Sequence, residues 1–160
     1  MTTRSLPDLC DAHADLVQVA EPLFRDFGAR RAFHGPIRTI KCHEDNALAR
    51  ATLQTPGAGH VLVVDGGGSL RHALVGDKLG ALMLENGWAG VVVYGAVRDV
   101  EVLATMPVAV RAVGVIPRPP QKKGLGELDV PVRFAGVTFT PGHWLYADEN
   151  GLLVSATPLA

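Results

Sequence analysis

The sequence predicts a mixed α/β fold built around residues 61–99, in which a strand, a glycine turn, a helix and a second strand follow one another. The strands are expected over residues 61–64 and 91–94, and the helix between them begins near Gly76 and ends near Asn86. Such a βαβ unit places its two strands side by side and parallel. The composition agrees, because 48% hydrophobic residues with only 6% aromatic residues are typical of an aliphatic α/β interior. A chain of 160 residues fits one domain, and we expect residues 1–160 to share a core.

Helix and strand signals alternate through the N-terminal part of the chain. Ser5, with an acidic residue three positions later, resembles a capping box and predicts a short helix after it. Residues 22–28 are expected to form a loop or a single turn. A strand is predicted over residues 35–42, where Pro36 suits a strand edge, and a helix over residues 47–54.

The part of the chain after the central unit is predicted to be mostly β-structure. A helix is expected over residues 100–106, and an extended apolar run follows over residues 108–116. Residues 117–127, PRPPQKKGLGE, form a loop long enough to serve an interface or a lid. Four strands are then predicted, the last two joined by a hairpin turn: residues 130–134, 137–140, 144–147 and 152–155.

The start of the central helix and the end of the second central strand predict an anion site. The first amides of a helix have no internal partner, so they can bind a carboxylate or a phosphate. Arg98, directly after the second strand, can add a bidentate contact to the same anion. An alternative is that Arg98 forms a structural ion pair with Asp77 or Asp99. The predicted substrate-binding residues are Gly76, Asp77, Lys78, Leu79 and Arg98.

Asp99 adds a candidate metal ligand beside this anion site. A hard oxygen ligand next to a carboxylate-binding arginine is what a site for a small 2-oxo acid with Mg²⁺ or Mn²⁺ requires. One protein carboxylate is enough for Mg²⁺, because this ion keeps much of its water shell. Asp77 can hold those waters or act as a base through one of them. We therefore predict Asp99 as the metal ligand, with Asp77 and Arg98 as catalytic residues.

The three consecutive glycines before the central helix match neither the dinucleotide-binding motif nor the P-loop motif, so they predict no nucleotide site. They are expected to form a tight turn with positive φ or to let the backbone approach a small ligand, and both alternatives stay open. Chemistry through a metal needs no Schiff base, so Lys78 is expected to be an exposed helix residue.

Other polar residues have less specific patterns. The six histidines lack zinc-site spacing, and His72, the one nearest the central helix in sequence, either touches substrate or has a structural role. Glu44 and Asp45 either face the site of a neighbouring subunit as an additional acid or provide charges at the start of a helix.

Charge and hydropathy exclude several classes of function. A formal net charge of -1 gives no basic field for nucleic acid, so we expect no direct nucleic-acid partner. The longest apolar run, residues 88–97, is shorter than the ~20 residues of a bilayer-spanning helix, so we expect no membrane partner. The N-terminus has no apolar signal region, and Cys10 and Cys42 stand alone, which favours reduced thiols in a cytoplasmic protein.

Motifs in the chain resemble a known family. Asp77, followed by twenty residues and then by Arg98 and Asp99, is similar to the D-x20-R-D pattern of the class II 4-hydroxy-4-methyl-2-oxoglutarate aldolases. Longer stretches within residues 24–154 resemble the family of the regulator of ribonuclease activity A (RraA): FGARRAFHGPIRTIKCHEDNALAR, VLVVDGGGSLRHALVGD, GWAGVVVYGAVRD and GVTFTPGHWLYADENGLLV.

The resemblance implies a single-domain β/β/α swivelling-domain sandwich that forms a ring-shaped homotrimer, alone or as a dimer of trimers, with sites at subunit interfaces and a divalent metal. It implies that the backbone amides from Gly76 to Leu79 and the Arg98 side chain bind the pyruvyl group and that Asp99 binds the metal. The implied reactions are cleavage of 4-hydroxy-4-methyl-2-oxoglutarate to pyruvate and decarboxylation of oxaloacetate, which share a pyruvate enolate. Some members lack the motif and inhibit ribonuclease E, so a non-catalytic regulator that binds ribonuclease E is the alternative function. This chain keeps all three motif residues, which favours the catalytic kind.

Overall fold

The computed structural model describes residues 4–159 and contains a large mixed sheet with helices on one face. The helices in this range are short: α1 Leu6–Ala12, α2 Ala47–Leu53, α3 Asp77–Glu85 and α4 Val100–Leu103. The strands in this range have two to nine residues: β1 Val17–Val19, β2 Arg25–Asp26, β3 Phe33–Lys41, β4 Val61–Asp65, β5 Ala73–Val75, β6 Gly90–Val97, β7 Val110–Val115, β8 Glu127–Leu128, β9 Val132–Phe134, β10 Val137–Phe139, β11 Trp144–Asp148 and β12 Gly151–Ser155.

The large sheet has the strand order β1-β12-β11-β3-β4-β6-β7-β2, with β5 added to β6 and β8 added to β3. Its central strands β3, β4, β6 and β7 are parallel, whereas β1, β12, β11 and β2 pair antiparallel with their neighbours. Strands β9 and β10 form a separate antiparallel pair. The parallel strands therefore end at one common edge of the sheet.

Strand β4 shows how the layers are built, because its side chains are buried on both faces of the sheet. Leu62 and Val64 pack in a cluster that contains residues of α2, α3 and α4. Val61 and Val63 pack in a second cluster with residues of β9, β10, β11 and β12. A strand buried on both faces has a continuous apolar sequence, as β4 does. The arrangement is a β/β/α sandwich, which confirms the predicted α/β fold class.

The central βαβ unit is confirmed, with one strand that the sequence did not predict. Strands β4 and β6 are adjacent and parallel, with Val63 opposite Val92. Between them the chain also forms β5, which pairs with β6 near Ala96 and places the start of α3 beside the end of β6. Three residues are too few for a periodic pattern, so β5 could not be recognised from sequence.

Several predicted boundaries are confirmed and others change. The Ser5 side chain accepts a hydrogen bond from the Asp8 amide and caps α1, as predicted. Residues 22–28 contain β2, which pairs with β7. Strand β3 begins at Phe33 and lies inside the sheet, with Pro36 at the point where its pairing changes from β11 to β4. Helix α4 ends at Leu103 because the next residues form tighter turns, with amide-to-carbonyl bonds spanning three residues.

Within residues 4–159, no helix has both the length and the hydropathy needed to cross a bilayer.

Candidate active site

A small cleft of about 80 Å³ opens where α3 begins and β6 ends. This is the edge at which open parallel sheets place their ligands. The cleft is lined by every residue for which the sequence predicts binding, catalysis or metal coordination: Gly76, Asp77, Lys78, Leu79, Arg98 and Asp99. Their chemical roles stay predictions, whereas their common location is a feature of the fold.

Hydrogen bonds join the end of β6 to the start of α3. The Arg98 amide donates to the Val75 carbonyl at 3.0 Å. Asp99 has left-handed backbone angles (φ 57°), and its Oδ2 accepts from the Asp77 amide at 3.2 Å. A Cβ on Gly76 would lie 2.5 Å from that Oδ2. A glycine at position 76 therefore gives the Asp99 carboxylate the room to reach α3.

The first turn of α3 provides fewer free amides than the sequence predicts. The Asp77 amide binds Asp99, and the Gly80 amide donates to the Gly76 carbonyl at 3.0 Å. The amides of Lys78 and Leu79 lie between them, in positions that have no intrahelical acceptor. Two first-turn amides are thus left to face an anion in the cleft.

The Arg98 guanidinium has no carboxylate partner among residues 4–159, so the structural ion pair with Asp77 or Asp99 is not formed. Its one protein hydrogen bond in this range is a long one, from Nη1 to the Pro117 carbonyl at 3.4 Å. The side chain is half-buried and lines the cleft. Most of its donors remain available for a ligand.

The residues around Asp99 fit Mg²⁺ or Mn²⁺ better than zinc. In the part of the chain that the structure describes, no three His, Cys, Asp or Glu side chains are grouped to hold a metal. A structural zinc site needs four such ligands and a catalytic one three. Asp99 has one oxygen engaged by the Asp77 amide, which leaves the other for a cation. A single carboxylate with water ligands is a common arrangement for Mg²⁺.

Comparison with known proteins assigns the fold. The family model described as RraA-like, Aldolase/RraA, matches residues 6–154. The chain belongs to the RraA-like family. A relative from Xanthomonas campestris pv. campestris (strain B100) is 58% identical over 158 residues, which are 99% of this chain and 95% of that protein, and is named "Putative 4-hydroxy-4-methyl-2-oxoglutarate aldolase". A relative from Ectopseudomonas mendocina (strain ymp) has the same name and is 55% identical over 96% of this chain and 95% of its own length.

Two solved structures with which this chain shares more than 40% sequence identity agree with this assignment of family and fold. The RNA-processing inhibitor RraA from Thermus thermophilis is 46% identical, with a TM-score of 0.95 over 100% of this chain and 96% of that one. A protein from Geobacillus kaustophilus HTA426, described as S-adenosylmethionine: 2-dimethylmenaquinone methyltransferase, is 44% identical, with a TM-score of 0.95 over 98% and 97%.

The glycine turn of this RraA-like chain is confirmed as a tight turn. Gly67 and Gly68 have φ of 69° and 73°, a region that favours glycine. The amides of Gly66 and Gly68 both donate to the Tyr94 carbonyl, and the Gly67 amide donates to the Asp65 carboxylate. Because all three amides already have acceptors, this turn has no free donors with which to bind a phosphate.

Asp45 has a structural position. It is buried, with Oδ1 accepting from the Ala47 amide at 3.0 Å and Oδ2 accepting from the Lys123 and Gly124 amides at 2.7 and 3.1 Å. Burial raises the pKa of Asp45, but the hydrogen bonds from these backbone amides and from the Leu125 amide lower it by more. The pKa of Asp45 is therefore below its ordinary value. The ionised carboxylate holds the loop after β7 against the start of α2.

Glu44 lies outside the cleft lining in a cluster of its own. Its Oε2 accepts from Ser69 Oγ at 2.7 Å and from Arg71 Nε at 2.6 Å. The Ser69 hydrogen bond lowers the pKa of Glu44 most, and Arg71 adds to it against a smaller opposing effect of burial. His72 is next to this cluster, and its Nδ1 lies 2.7 Å from the Pro119 carbonyl oxygen. His72 does not line the cleft.

Both cysteines are free thiols, as predicted. Cys42 is buried, and Cys10 is half-buried. Burial raises the pKa of the Cys42 thiol to about 12, and the negative charges of Asp45 and Asp65 add to this shift. A thiol that stays protonated is a poor nucleophile and a poor metal ligand. Cys42 therefore belongs to the core.

Sequence reasoning missed part of the cleft. Beyond the predicted residues it is lined by polar and cationic residues from α2, from the position directly before it and from the loop after β7: Arg50, Asn46 and Lys122. That loop, for which an interface or a lid was predicted, contributes one wall of the cleft. The cluster of basic residues in PRPPQKKG was the available signal, but without the Asp45 contacts nothing in the sequence directs it here.

Proposed function

We propose that the chain is a divalent-metal-dependent carbon–carbon lyase that cleaves 4-hydroxy-4-methyl-2-oxoglutarate to pyruvate and also decarboxylates oxaloacetate. The observation that supports this most is the placement of three features in one cleft: the Arg98 guanidinium, which has no carboxylate partner among residues 4–159, the first amides of α3 and the Asp99 carboxylate. The names of relatives that are 55 and 58% identical over nearly the whole chain support the same reaction class.

Substrate binding in this proposal depends on two kinds of donor. Arg98 binds the carboxylate beside the keto group through its planar pair of N–H donors. The amides of Lys78 and Leu79 bind the same carboxylate at the positive end of the α3 dipole. Donors attached to the backbone are already oriented before substrate arrives, which favours binding of the pyruvyl group in one position.

The residues of the cleft have different chemical roles in this proposal. Asp99 would hold Mg²⁺ or Mn²⁺, and a bound ion of this kind stabilises the negative charge that develops on the keto oxygen in both reactions. Asp77 takes the proton of the substrate's C4 hydroxyl through a water molecule during aldol cleavage. Lys78 is exposed and needs no covalent role, because no Schiff base is required.

Turnover assays test this proposal. The purified chain is expected to cleave 4-hydroxy-4-methyl-2-oxoglutarate and to decarboxylate oxaloacetate with Mg²⁺ or Mn²⁺, and to lose both activities in EDTA. Arg98→Lys keeps the charge but loses the planar pair of donors, so kcat/KM should fall roughly 10- to 100-fold. Arg118→Lys, at an exposed arginine outside the cleft lining, is the matched control and should leave kcat/KM unchanged. Turnover that is indifferent to EDTA and to Arg98→Lys would contradict the proposal.

We also propose that the active form is a homotrimer or a dimer of trimers with the cleft at a subunit interface, as the family resemblance implies. A second, wider cleft of about 280 Å³ adjoins Arg98 and Asp99 and includes the exposed Val115. Strand β2 pairs with β7 at Arg111 and Ala112, so it does not cover the end of β7 at Val115. This apolar end of β7, next to the cleft, is the surface that we propose for contact with a neighbouring subunit. Sedimentation equilibrium should give three or six times the 16.9 kDa chain mass, and a monomer would overturn this assembly.

Regulation of ribonuclease E is the second candidate function. It is supported by the 46% identity and TM-score of 0.95 to a protein described as an RNA-processing inhibitor. The outer surface of an oligomer is separate from its clefts, so both functions are compatible. Binding to purified ribonuclease E should persist in Asp99→Asn if this function exists. The absence of any complex at micromolar concentration would contradict it.

A further inference from the structure

An apolar surface that the proposed function does not use lies at the end of the large sheet that is farther from the cleft. Strand β1 begins the strand order, whereas the cleft lies beside β6, five strands away. Three large apolar side chains in or next to β1 are exposed: Leu16 by 55%, Val19 by 57% and Leu23 by 40%. A single exposed apolar side chain is common, but three within one short segment indicate a surface that contacts another molecule.

The backbone of β1 presents polar groups along its outer edge. Strand β1 pairs with β12 on one side, and among residues 4–159 no strand pairs with its other side. The Ala20 amide, directly after β1, donates to a carbonyl of β12 at 3.0 Å. Successive residues of an antiparallel strand direct their N–H and C=O groups to opposite sides, so Gln18 also faces β12, whereas Val17 and Val19 face outward. Their two N–H and two C=O groups are therefore positioned to pair with an added strand.

Contacts on both faces of the sheet hold β1 in place. Val17 packs against a cluster that contains Leu6 and Leu9 of α1. On the opposite face, the side-chain oxygen of Gln18 accepts a hydrogen bond from the Thr138 amide of β10 at 3.3 Å. Because the extended conformation of β1 is fixed before a partner arrives, less ordering of this edge opposes binding.

The charges around β1 are mostly negative. Residues 5–24 contain four acidic residues and no lysine or arginine: Asp8, Asp11, Asp15 and Glu21. All four are exposed, and none of them forms an ion pair with a residue in the range 4–159. Two cations approach the segment: Arg4 contacts His13, and Arg133 donates to the carbonyl of Gly136, a residue close to Glu21. The surface keeps a net negative charge.

This charge distinguishes between the possible occupants of the outer edge. A second copy of the chain would bring the same four carboxylates to the contact, and like charges that face each other across an interface oppose association. An extended segment that carries lysine or arginine complements the surface instead. Charge complementarity therefore favours a basic segment of a different protein.

We propose that the outer edge of β1 is a docking site for an extended, basic segment of another protein, which adds to the large sheet as a further strand. The backbone groups of Val17 and Val19 pair with the segment, and the exposed apolar side chains in and next to β1 contact its apolar residues. Asp15 and Glu21, which lie two residues before and two residues after β1, attract its cations. The site is remote from the cleft and does not rest on the lyase proposal.

Three synthetic peptides test the site. The first is a seven-residue peptide of alternating lysine and valine, and the second has glutamate in place of lysine. The third is the first peptide with every amide N-methylated, so it keeps the charges and side chains but has no N–H donors. By fluorescence anisotropy at low salt, the native chain should bind the first peptide about tenfold more tightly than the third and should not bind the second.

Variants of the chain separate the backbone contribution from the charges. Val19→Pro removes an outward N–H while the pairing with β12 can persist, and it should weaken binding of the basic peptide by about tenfold. The double variant Asp15→Asn with Glu21→Gln keeps the backbone edge intact and should weaken binding about fivefold, whether or not the proline variant folds. Glu85→Gln with Glu127→Gln is the matched control, because it also removes two exposed negative charges, and it should bind like the native chain.

Equal binding of the basic and acidic peptides, equal binding of the basic and N-methylated peptides, or equal losses in the two double variants would overturn the site. A smaller assembly in Val19→Pro, with no peptide bound by the native chain, would mean that a second copy occupies β1 and would also overturn it. Peptide binding without any turnover of 2-oxo acids would support the site and contradict the lyase proposal. Metal-dependent turnover without peptide binding would do the reverse.

Discussion

Asp99→Asn is expected to lower metal-dependent turnover of 4-hydroxy-4-methyl-2-oxoglutarate and of oxaloacetate by about a thousandfold. Loss of the ligand charge removes most of the metal's contribution to the transition state, which is several kcal/mol, and each 1.36 kcal/mol corresponds to about tenfold in rate. Asparagine tolerates the left-handed backbone at position 99, and its side-chain oxygen can still accept from the Asp77 amide. The variant therefore tests the charge rather than the turn. Steady-state kinetics over a range of Mg²⁺ and Mn²⁺ concentrations measure the effect.

Asp129→Asn is the matched control for this variant. Asp129 also has a left-handed backbone, with φ of 53°, and it is a surface residue outside the cleft that pairs with Arg38. Its replacement should leave turnover and metal dependence unchanged. Retention of more than about a tenth of native turnover in Asp99→Asn, with the metal dependence intact, would show that Asp99 is not the metal ligand.

Arg111→Met is expected to lower the free energy of unfolding by about 1–3 kcal/mol. Arg111 is buried, and its guanidinium donates to the Asp26 carboxylate and to the carbonyls of Arg31, Asp148 and Gly151. These contacts join β7 to β2 and to the hairpin between β11 and β12. Methionine has similar bulk, so the loss comes mainly from the hydrogen bonds to the three carbonyls, of which that of Asp148 belongs to a buried residue. Urea unfolding at fixed protein concentration measures it, because oligomer stability depends on concentration.

Arg38→Met supplies the comparison for a surface ion pair. Arg38 pairs with Asp129 at 3.1 Å, and the two side chains are 33% and 45% exposed. Pairs of this kind contribute about 0–1 kcal/mol, so the unfolding midpoint should barely move. Similar losses in Arg38→Met and Arg111→Met would mean that burial of the Arg111 contacts does not stabilise the fold.

Much of the fold follows from patterns within short windows of sequence. The continuous apolar residues of β4 indicate burial on both faces, and the Ser5 side chain caps α1 where the capping pattern predicts it. Elements without such a pattern were missed, as with β5, or given the wrong length, as with α4. Pairing with β6 stabilises β5, and no window of three residues contains that information.

The candidate site was also predictable from the sequence only in part. Parallel strands end at one edge of a sheet, so the sequence alone brings the start of α3, with Asp77, to the end of β6, with Arg98 and Asp99. The hydrogen bond from the Asp77 amide to Asp99 could not be predicted, because it depends on the left-handed turn at Asp99 and on the absence of a side chain at Gly76.

The sequence by itself determined the α/β class, the central βαβ unit and the three charged residues at its edge, because each of these depends on neighbours along the chain or on the general geometry of parallel strands. Only the tertiary structure decided which other charges share the cleft. Lys122 lines it together with Arg50 of α2, because the buried Asp45 carboxylate accepts hydrogen bonds from the loop after β7 and holds that loop against the start of α2. A contact between one side chain and distant backbone amides leaves no periodic signal in sequence, since those amides belong to every residue type except proline.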